Sequence, residues 1–305
     1  MKPDPRLALN LAGIAMTAPL IAASGCYGYG FDYAAWIDPA DWGAVVVKGT
    51  TLHPRVGNPP PRIVETPSGM LNAIGLQNPG VYYFLEHIEP RLGELGCPVI
   101  VNIAGESPDE YRQVAGLLDS TAGVAGLEIN ISCPNVRCGG ISFGCDPLVV
   151  EDLVSRVREA YHGTLMVKLS LEAGSITAVA EAAQRAGADV LSLINTIKGM
   201  VIDVERRRPV LGNTTGGLSG PALRPVAVRA VWEVASAVSI PVVGMGGITC
   251  AADALQFILA GATAVAVGTA NFVNPLAARE IRTGLQRYLD LNGVAHYSEL
   301  IGAAL

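Results

Sequence analysis

The chain has few of the residues from which enzymes build metal sites and nucleophilic triads. Its histidines are dispersed at positions 53, 87, 162 and 296, and its six cysteines include no CxxC pair. This spacing argues against a zinc site, metal-dependent hydrolysis and a Ser-His-Asp triad. A disulfide framework is also not expected in a chain this long and hydrophobic. We therefore expect no metal site.

Charge and long apolar runs are scarce as well. Only 16% of the residues are charged, the net charge is −6, and the longest basic run is the three arginines 206–208. This balance argues against a nucleic-acid partner. No apolar run reaches the roughly 18 residues that span a bilayer, and the first residues lack the apolar segment of a signal peptide. We expect a cytoplasmic protein without a membrane partner.

Short hydrophobic runs, by contrast, are abundant, since half of the 305 residues are hydrophobic. Strand candidates lie at residues 19–23, 44–47, 99–103, 126–131, 165–169, 190–194, 241–244 and 264–267. The clearest helical patterns cover residues 146–161, 175–186, 221–238, 251–260 and 275–289. Buried strands that alternate with helices predict the α/β class and a parallel sheet covered on both faces.

The length fits one (β/α)8 TIM barrel over residues 1–305, since such barrels typically take about 250 residues. We expect an N-terminal hairpin at residues 7–19. Two stretches rich in glycine, proline, asparagine and threonine, 48–80 and 196–220, are predicted as long insertions on the C-terminal face of the barrel. Active sites of such barrels lie on that face.

Polar side chains follow the apolar strands at one repeated place, the C-terminal end. They are Lys48, Asn102, Asn130, Lys168 and the pair Asn195 and Thr196. Any single one could be a solvent-facing strand end, but five strands with the same feature indicate a shared site at the barrel mouth. Amides offer donors and acceptors to a flat heterocycle with imide groups, and lysines supply positive charge where an anion is held or formed.

The last two strands end in glycine turns, at Gly246-Gly247 and at Gly268-Thr269. Each turn alone is more often a simple tight turn than a ligand site. Together they suit a phosphate held by backbone N–H groups, with residues 216–220 as a further backbone wall. A phosphate next to a planar ring with imide groups points to flavin mononucleotide (FMN).

One strand candidate ends in a turn that carries a thiol. Residues 126–131 alternate as a strand should, and Cys133 and Pro134 follow. A thiol at a strand tip is a candidate group for proton transfer. The alternative is a small buried hydrophobic residue, since free cysteine is often buried.

These features together resemble a known family, the class 1B dihydroorotate dehydrogenases, and within it the FMN-binding catalytic subunit. Besides the two glycine turns, the matching stretches are residues 23–26, 48–55, 57–59, 72–80, 130–135, 194–196 and 216–220. The likeness covers nearly the whole chain. The string 51–55 with 57–59 is similar to the 1B branch rather than to the fumarate-using 1A branch.

The resemblance implies an oxidoreductase that converts dihydroorotate to orotate in pyrimidine biosynthesis. Cys133 would be the general base that removes a proton from the dihydropyrimidine ring, while the adjacent carbon passes hydride to FMN. The implied substrate-binding residues are Lys48, Asn72, Ala73, Ile74, Gly75, Leu76, Asn130, Asn195 and Thr196. The implied FMN-binding residues are Ser24, Lys48, Gly49, Asn102, Asn130, Lys168, Ile194 and Gly220, with Gly246, Gly247, Gly268 and Thr269 at the phosphate. Gly49 is a departure, since the family pattern has alanine or serine there.

The resemblance also implies a partner. In that family, electrons leave through a second subunit that carries FAD and an iron–sulfur cluster and reduces NAD. This chain has no cluster-type cysteine spacing. A homodimer within a heterotetramer is therefore expected from the resemblance alone.

Several alternatives remain open at this point. A fumarate-dependent class 1A-like dihydroorotate dehydrogenase and a dihydropyrimidine dehydrogenase are the nearest. A phosphate-binding barrel lyase or isomerase without redox chemistry is more remote, as is a non-catalytic scaffold. A visible spectrum separates the flavoproteins from the others, because bound flavin is yellow.

Replacing Cys133 with alanine is expected to abolish dihydroorotate oxidation while FMN stays bound. Loss of a general base typically costs about 100- to 10,000-fold in rate. Cys133→Ser should keep a remnant of activity with its pH dependence shifted upward, because a hydroxyl loses its proton less readily than a thiol does. Steady-state turnover and the flavin spectrum measure both effects. Near-full turnover of Cys133→Ala would show that this thiol is not the base.

Overall fold

A computed structural model describes residues 3–33, 37–132, 134–135, 141–172 and 174–305, with the backbone alone at 134–135 and 141–142. The strands in chain order are β1 (Leu9–Leu11), β2 (Ile14–Met16), β3 (Leu20–Ala22), β4 (Ala44–Thr50), β5 (Ile63–Thr66), β6 (Gly69–Asn72), β7 (Val99–Ile103), β8 (Gly126–Asn130), β9 (Pro134–Asn135), β10 (Ile141–Ser142), β11 (Thr164–Lys168), β12 (Val190–Leu193), β13 (Ile197–Gly199), β14 (Ile202–Asp203), β15 (Arg208–Pro209), β16 (Gly216–Ser219), β17 (Val242–Met245) and β18 (Ala264–Val267).

The α-helices are α1 (Val81–Tyr83), α2 (Pro108–Leu118), α3 (Pro147–Ala160), α4 (Ile176–Arg185), α5 (Arg224–Ala235), α6 (Ala251–Leu259), α7 (Ala270–Val273) and α8 (Ala277–Asn292). A π-helical turn (Phe84–Ile88) and a 3-10 segment (Glu89–Leu95) continue α1. Further 3-10 turns lie at Pro5–Leu7, Pro39–Asp41, Phe143–Cys145, Pro221–Leu223 and Tyr297–Leu300. No helix in the described part of the chain is long and apolar enough to cross a membrane.

Eight parallel strands form a closed barrel in the order β3, β4, β7, β8, β11, β12, β17 and β18. Their residues are almost all buried because helices cover the outer face and side chains fill the interior. The predicted α/β class and (β/α)8 barrel are thus confirmed. β4 runs on to Thr50, so Lys48 lies within it, and a register shift against β7 accompanies this extension.

The predicted N-terminal hairpin is present as β1 and β2, and it closes the N-terminal end of the barrel. Leu11, Ile14 and Met16 of this hairpin belong to the same buried apolar cluster as the interior residues Ile100 and Met166. The interior is therefore filled at this end, and space for a ligand remains at the opposite end.

The two predicted insertions are not simple loops. β5 and β6 from the first pair with β16 and β13 from the second in a four-stranded antiparallel sheet, in the order β13-β16-β6-β5. Leu71 of this sheet forms a small buried apolar cluster with Ala73 and Leu211. This sheet lies over the C-terminal mouth, since residues of both insertions line the cavity there.

The predicted helices are present, with small changes at their ends. The pattern 221–238 begins as the 3-10 turn before α5, where Pro221 supplies no N–H. α2 is not among the helices predicted above, although Ser107 caps its first turn by accepting a hydrogen bond from the Glu110 N–H. The segment from α1 to Leu95 is not among them either, because Pro90 and Gly93 interrupt its pattern.

A tight contact between α6 and the barrel gives a test of the packing. A Cβ atom at Gly244 of β17 would lie 2.6 Å from Cδ1 of the buried Phe257. Gly244→Ala should therefore lower the free energy of unfolding by about 1–3 kcal/mol, because the core is overpacked. Urea unfolding measures the change.

Gly93→Ala is the matched control, because a Cβ there meets nothing within 4 Å. It should leave stability unchanged or raise it by about 0.4–1 kcal/mol. Equal stability of the two variants would contradict the packing described here.

Candidate functional site

A cavity of about 790 Å³ lies at the C-terminal mouth of the barrel. Its volume falls within the range of roughly 300–1,000 Å³ that is usual for ligand and cofactor sites. Strand ends form its floor, and the insertions that carry β5, β6 and β16 form part of its wall.

Every predicted binding residue lies on the wall of this one cavity. The predicted substrate-binding residues there are Lys48, Asn72, Ala73, Ile74, Gly75, Leu76, Asn130, Asn195 and Thr196. The other predicted FMN-binding residues there are Ser24, Gly49, Asn102, Lys168, Ile194, Gly220, Gly246, Gly247, Gly268 and Thr269. Cys133, the predicted base, lies outside the described residues, but its neighbour Ser132 lines the cavity. The individual roles of these residues stay predictions.

A buried polar cluster forms part of the floor and extends beneath it. Asn102 Nδ2 donates a hydrogen bond of 2.6 Å to Glu128 Oε2, and Ser192 Oγ donates one of 2.8 Å to Oε1. Lys168 Nζ lies 4.0 Å from Oε2 of the same carboxylate, and the Glu128 side chain is only 1% exposed. The cluster joins β7, β8, β11 and β12.

A second network fixes the turn that precedes Cys133. Asn195 Nδ2 donates to Ser132 Oγ at 2.8 Å and to Asn130 Oδ1 at 3.3 Å. The Ser132 N–H donates to Asn130 Oδ1 at 3.2 Å, and the Tyr111 hydroxyl donates to the Asn130 carbonyl at 2.7 Å. These bonds tie the end of β8 to the end of β12 and hold the amides at the cavity wall.

The stretch 73–76 is held over the cavity by an asparagine. The Asn58 N–H donates to the Ile74 carbonyl at 3.0 Å, and Asn58 Nδ2 donates to the Ala73 carbonyl at 3.1 Å. Gly75 has φ +75°, and a Cβ atom there would lie 2.6 Å from the Asn58 nitrogen. Only glycine fits this close approach of two backbones.

At the opposite end of the cavity, bare backbone forms the wall. Gly247 has φ +75°, and a Cβ atom on it would lie 2.8 Å from the Gly220 carbonyl oxygen. Beside them, Thr269 Oγ1 donates a hydrogen bond of 2.8 Å to Ser219 Oγ. Such a backbone wall can approach a phosphate closely.

The charge of the cavity is positive. Lys48, Arg55 and Lys168 line it, whereas no acidic side chain is among the described lining residues. Arg55 is also paired with Glu106 at 2.5 Å. The cavity therefore suits an anionic ligand.

Cys26 lines the cavity as well. Burial raises the pKa of its thiol to about 11, although the nearby Lys168 acts in the opposite direction. Cys26 is therefore a neutral thiol at pH 7.

Comparison with known proteins shows the family. The family model described as dihydroorotate dehydrogenase matches residues 6–289. The chain belongs to the dihydroorotate dehydrogenase family. The resemblance predicted from residues 48–55, 72–80 and 130–135 is thereby confirmed.

Two curated proteins of the dihydroorotate dehydrogenase family are similar to this chain over almost their full lengths. A protein of Desulforudis audaxviator is 56% identical over 98% of this chain and 97% of its own length. One of Pelobacter propionicus is 54% identical over 99% of both chains. Both are named dihydroorotate dehydrogenase B (NAD(+)), catalytic subunit.

Solved structures agree on the architecture. The crystal structure of a DHODH from Eimeria tenella in complex with ferulenol has a TM-score of 0.79. The aligned region covers 99% of this chain and 89% of the Eimeria tenella chain, at 24% sequence identity. At this identity the match supports the barrel fold alone.

Several residues around the cavity have no role in the sequence prediction. Glu128 belongs to the alternating stretch 126–131 without a role of its own, and no pattern indicates a role for Ser192. A carboxylate inside a strand that is predicted to be buried on both faces is a usable signal, because it needs partners there. Arg55 enters the prediction only through the resemblance of residues 48–55, and no local pattern indicates that it lines the cavity.

Proposed function

We propose that this chain is the catalytic subunit of a class 1B dihydroorotate dehydrogenase, which oxidises dihydroorotate to orotate in pyrimidine biosynthesis with FMN as hydride acceptor. The observation that carries this proposal is the positive cavity at the barrel mouth, lined by the residues that the family resemblance implies. The names of the curated relatives support it. The cytoplasm is the proposed location.

The cavity fits FMN in size and in the arrangement of its polar groups. Ala23, Met245 and Ala266 give one side of the floor an apolar character, while Asn102 and Lys168 make the other side polar. The flavin ring has a corresponding apolar benzenoid edge and a polar pyrimidine edge.

The glycine end of the cavity suits the FMN phosphate. Gly246, Gly247, Gly268 and Thr269 would hold the phosphate, where a Cβ atom on Gly247 would collide with the Gly220 carbonyl. Ser24, Gly49, Ile194 and Gly220 would contact the rest of the cofactor, and Lys48 and Asn130 would lie between cofactor and substrate. These contacts rest on cavity-lining positions and on backbone approach.

The remaining polar groups suit orotate. Asn72, Asn130 and Asn195 offer amide donors and acceptors to the imide groups of the ring, and Lys48 offers a positive charge to the carboxylate. Thr196 and the backbone of residues 73–76 complete the proposed substrate site. The Asn58 hydrogen bonds to Ala73 and Ile74 keep that backbone in place.

When bound, FMN supplies the hydride acceptor. Cys133 would accept the proton from the substrate carbon, and the Asn130–Ser132–Asn195 network would hold the turn that carries it. The ammonium group of Lys168 would stabilise negative charge that develops on the ring system during the reaction. Cys26 does not suit the role of base, because burial raises its pKa to about 11.

Electrons are proposed to leave through a second subunit that carries FAD and an iron–sulfur cluster and reduces NAD. The words "NAD(+)" and "catalytic subunit" in the names of the relatives support a division of this kind. The proposed assembly is a heterotetramer built on a homodimer of this chain.

The purified chain should be yellow or should become yellow with added FMN, and anaerobic dihydroorotate should bleach it in a single turnover. Stopped-flow absorbance measures the bleaching rate. Lys168→Ala should slow bleaching more than it weakens substrate binding, because its charge matters most in the transition state.

Lys198→Ala is the matched control for that experiment, since Lys198 is exposed and is not among the lining residues. It should bleach at the wild-type rate. An unchanged rate in Lys168→Ala would contradict the role of this lysine. A chain that binds no FMN would overturn the proposed function and favour a barrel without redox chemistry.

The isolated chain should reduce its flavin with dihydroorotate but transfer electrons to NAD very slowly. The sequence has no GxGxxG element after a strand that would hold NAD. Adding the FAD and iron–sulfur subunit should restore NAD reduction, measured as NADH absorbance. Steady NAD turnover by the chain alone would contradict this prediction, and rapid turnover with fumarate would indicate a class 1A-like enzyme.

A further inference from the structure

Glu128 is a buried carboxylate that the proposed reaction does not use. It lies on β8 beneath the cavity, is 1% exposed, and is not among the lining residues. Burying a carboxylate is unfavourable unless hydrogen bonds and charges compensate for the lost water. Its three polar neighbours, Asn102, Lys168 and Ser192, provide that compensation. Two of them, Asn102 and Lys168, also line the cavity.

The carboxylate determines which end of the Asn102 amide faces the cavity. An ionised carboxylate can only accept hydrogen bonds, so the Asn102 NH₂ group must be the part that faces it, as the 2.6 Å contact has it. The Asn102 carbonyl oxygen then points toward Gly49, where a Cβ atom would lie only 3.0 Å from it. Asn102 thus offers an acceptor on the Gly49 side, as an imide N–H of a ring requires.

The same carboxylate holds the charged end of Lys168. The Nζ atom lies 4.0 Å from Glu128 Oε2, and the side chains are 9% and 1% exposed. Because solvent is excluded, screening is weak and the two charges interact more strongly than a surface pair would. Glu128 therefore keeps the ammonium group at the floor and offsets part of its positive field.

We propose that Glu128 is a positioning residue that orients Asn102 and holds and partly neutralises Lys168, and that it thereby sets FMN affinity and the reduction potential of the bound flavin. This inference rests on the proposed FMN site. A merely structural carboxylate would change stability but would leave the potential of the bound flavin where it is.

Glu128→Gln tests the proposal because it keeps the shape of the side chain and removes the charge. The dissociation constant of FMN should rise roughly 10- to 100-fold, since a hydrogen bond to a charged group is lost and the Asn102 amide is free to flip. The potential of the bound flavin should become more positive, because the ammonium group is no longer offset beside the reduced, anionic ring. FMN titration of the apoprotein and dye equilibration measure the two quantities.

Ser192→Ala is the matched control. It removes one hydrogen bond to the same carboxylate but leaves the charges of Glu128 and Lys168 in place. Its flavin potential should match that of the wild type. A shift as large as that of Glu128→Gln would mean that disturbance of the floor, and not charge, moves the potential, and the proposal would fail.

Lys168→Met as a background completes the test. In that background, Glu128→Gln should shift the flavin potential by less than half of the shift that it causes in the otherwise wild-type chain, because part of its effect passes through the lysine. If Glu128→Gln alone does not fold, the double variant is used instead, because it removes both buried charges. Its FMN affinity and flavin potential are then compared with those of Lys168→Met.

The outcomes separate this inference from the proposed function. A wild-type chain that binds no FMN would refute the proposed function. Wild-type binding combined with unchanged affinity and potential in Glu128→Gln would refute the positioning role alone. An undiminished shift in the Lys168→Met background would show that Glu128 does not act through that lysine.

Discussion

Closure of the barrel at one end is the constraint on which the rest of the structure depends. The eight strands run parallel, so their C-terminal ends converge on one mouth. Leu11, Ile14 and Met16 of the N-terminal hairpin fill the other end together with interior side chains. The cavity therefore lies where the strands end, and the polar residues that follow them meet there.

Within the barrel, the side chains on the interior face of these strands change from apolar to polar over two residues. Side chains two positions apart share a face, so Ile100, Met166 and Val190 in the apolar interior are followed on the same faces by Asn102, Lys168 and Ser192. Glu128 is registered beside Asn102 on the neighbouring strand. A polar layer at this depth is stable only because its members bind one another.

The sequence predicts what depends on local pattern and misses what depends on distant pairing. The barrel strands are short runs buried on both faces, and they are recognisable one at a time. The sheet over the mouth depends on pairing between β6 and β16, where Asn72 Nδ2 reaches the Gly217 carbonyl 145 residues away. No local signal carries that pairing, so both insertions read as loops.

The same distinction explains the site. Positions such as Lys48, Asn130 and Asn195 are predictable because each stands at the end of a recognisable strand, and a family resemblance adds roles for them. The contribution of Glu128 depends on partners from three other strands, so it becomes visible only when the barrel is closed. A carboxylate in a strand that is predicted to be buried indicates that it has polar partners, but only the folded structure identifies them.

The two sides of the floor provide different environments for a thiol. Cys26 and the small side chains Ala23 and Ala266 lie on the apolar side, and there burial raises the pKa of the thiol to about 11. A general base works best with a pKa near the operating pH, so a thiol in that environment is a poor one. The opposite side has lysines and an amide network that ends at Ser132, the residue before Cys133. Positive charge and hydrogen-bond donors favour a thiolate, so the polar strand ends suit the proposed proton transfer better than the apolar side does.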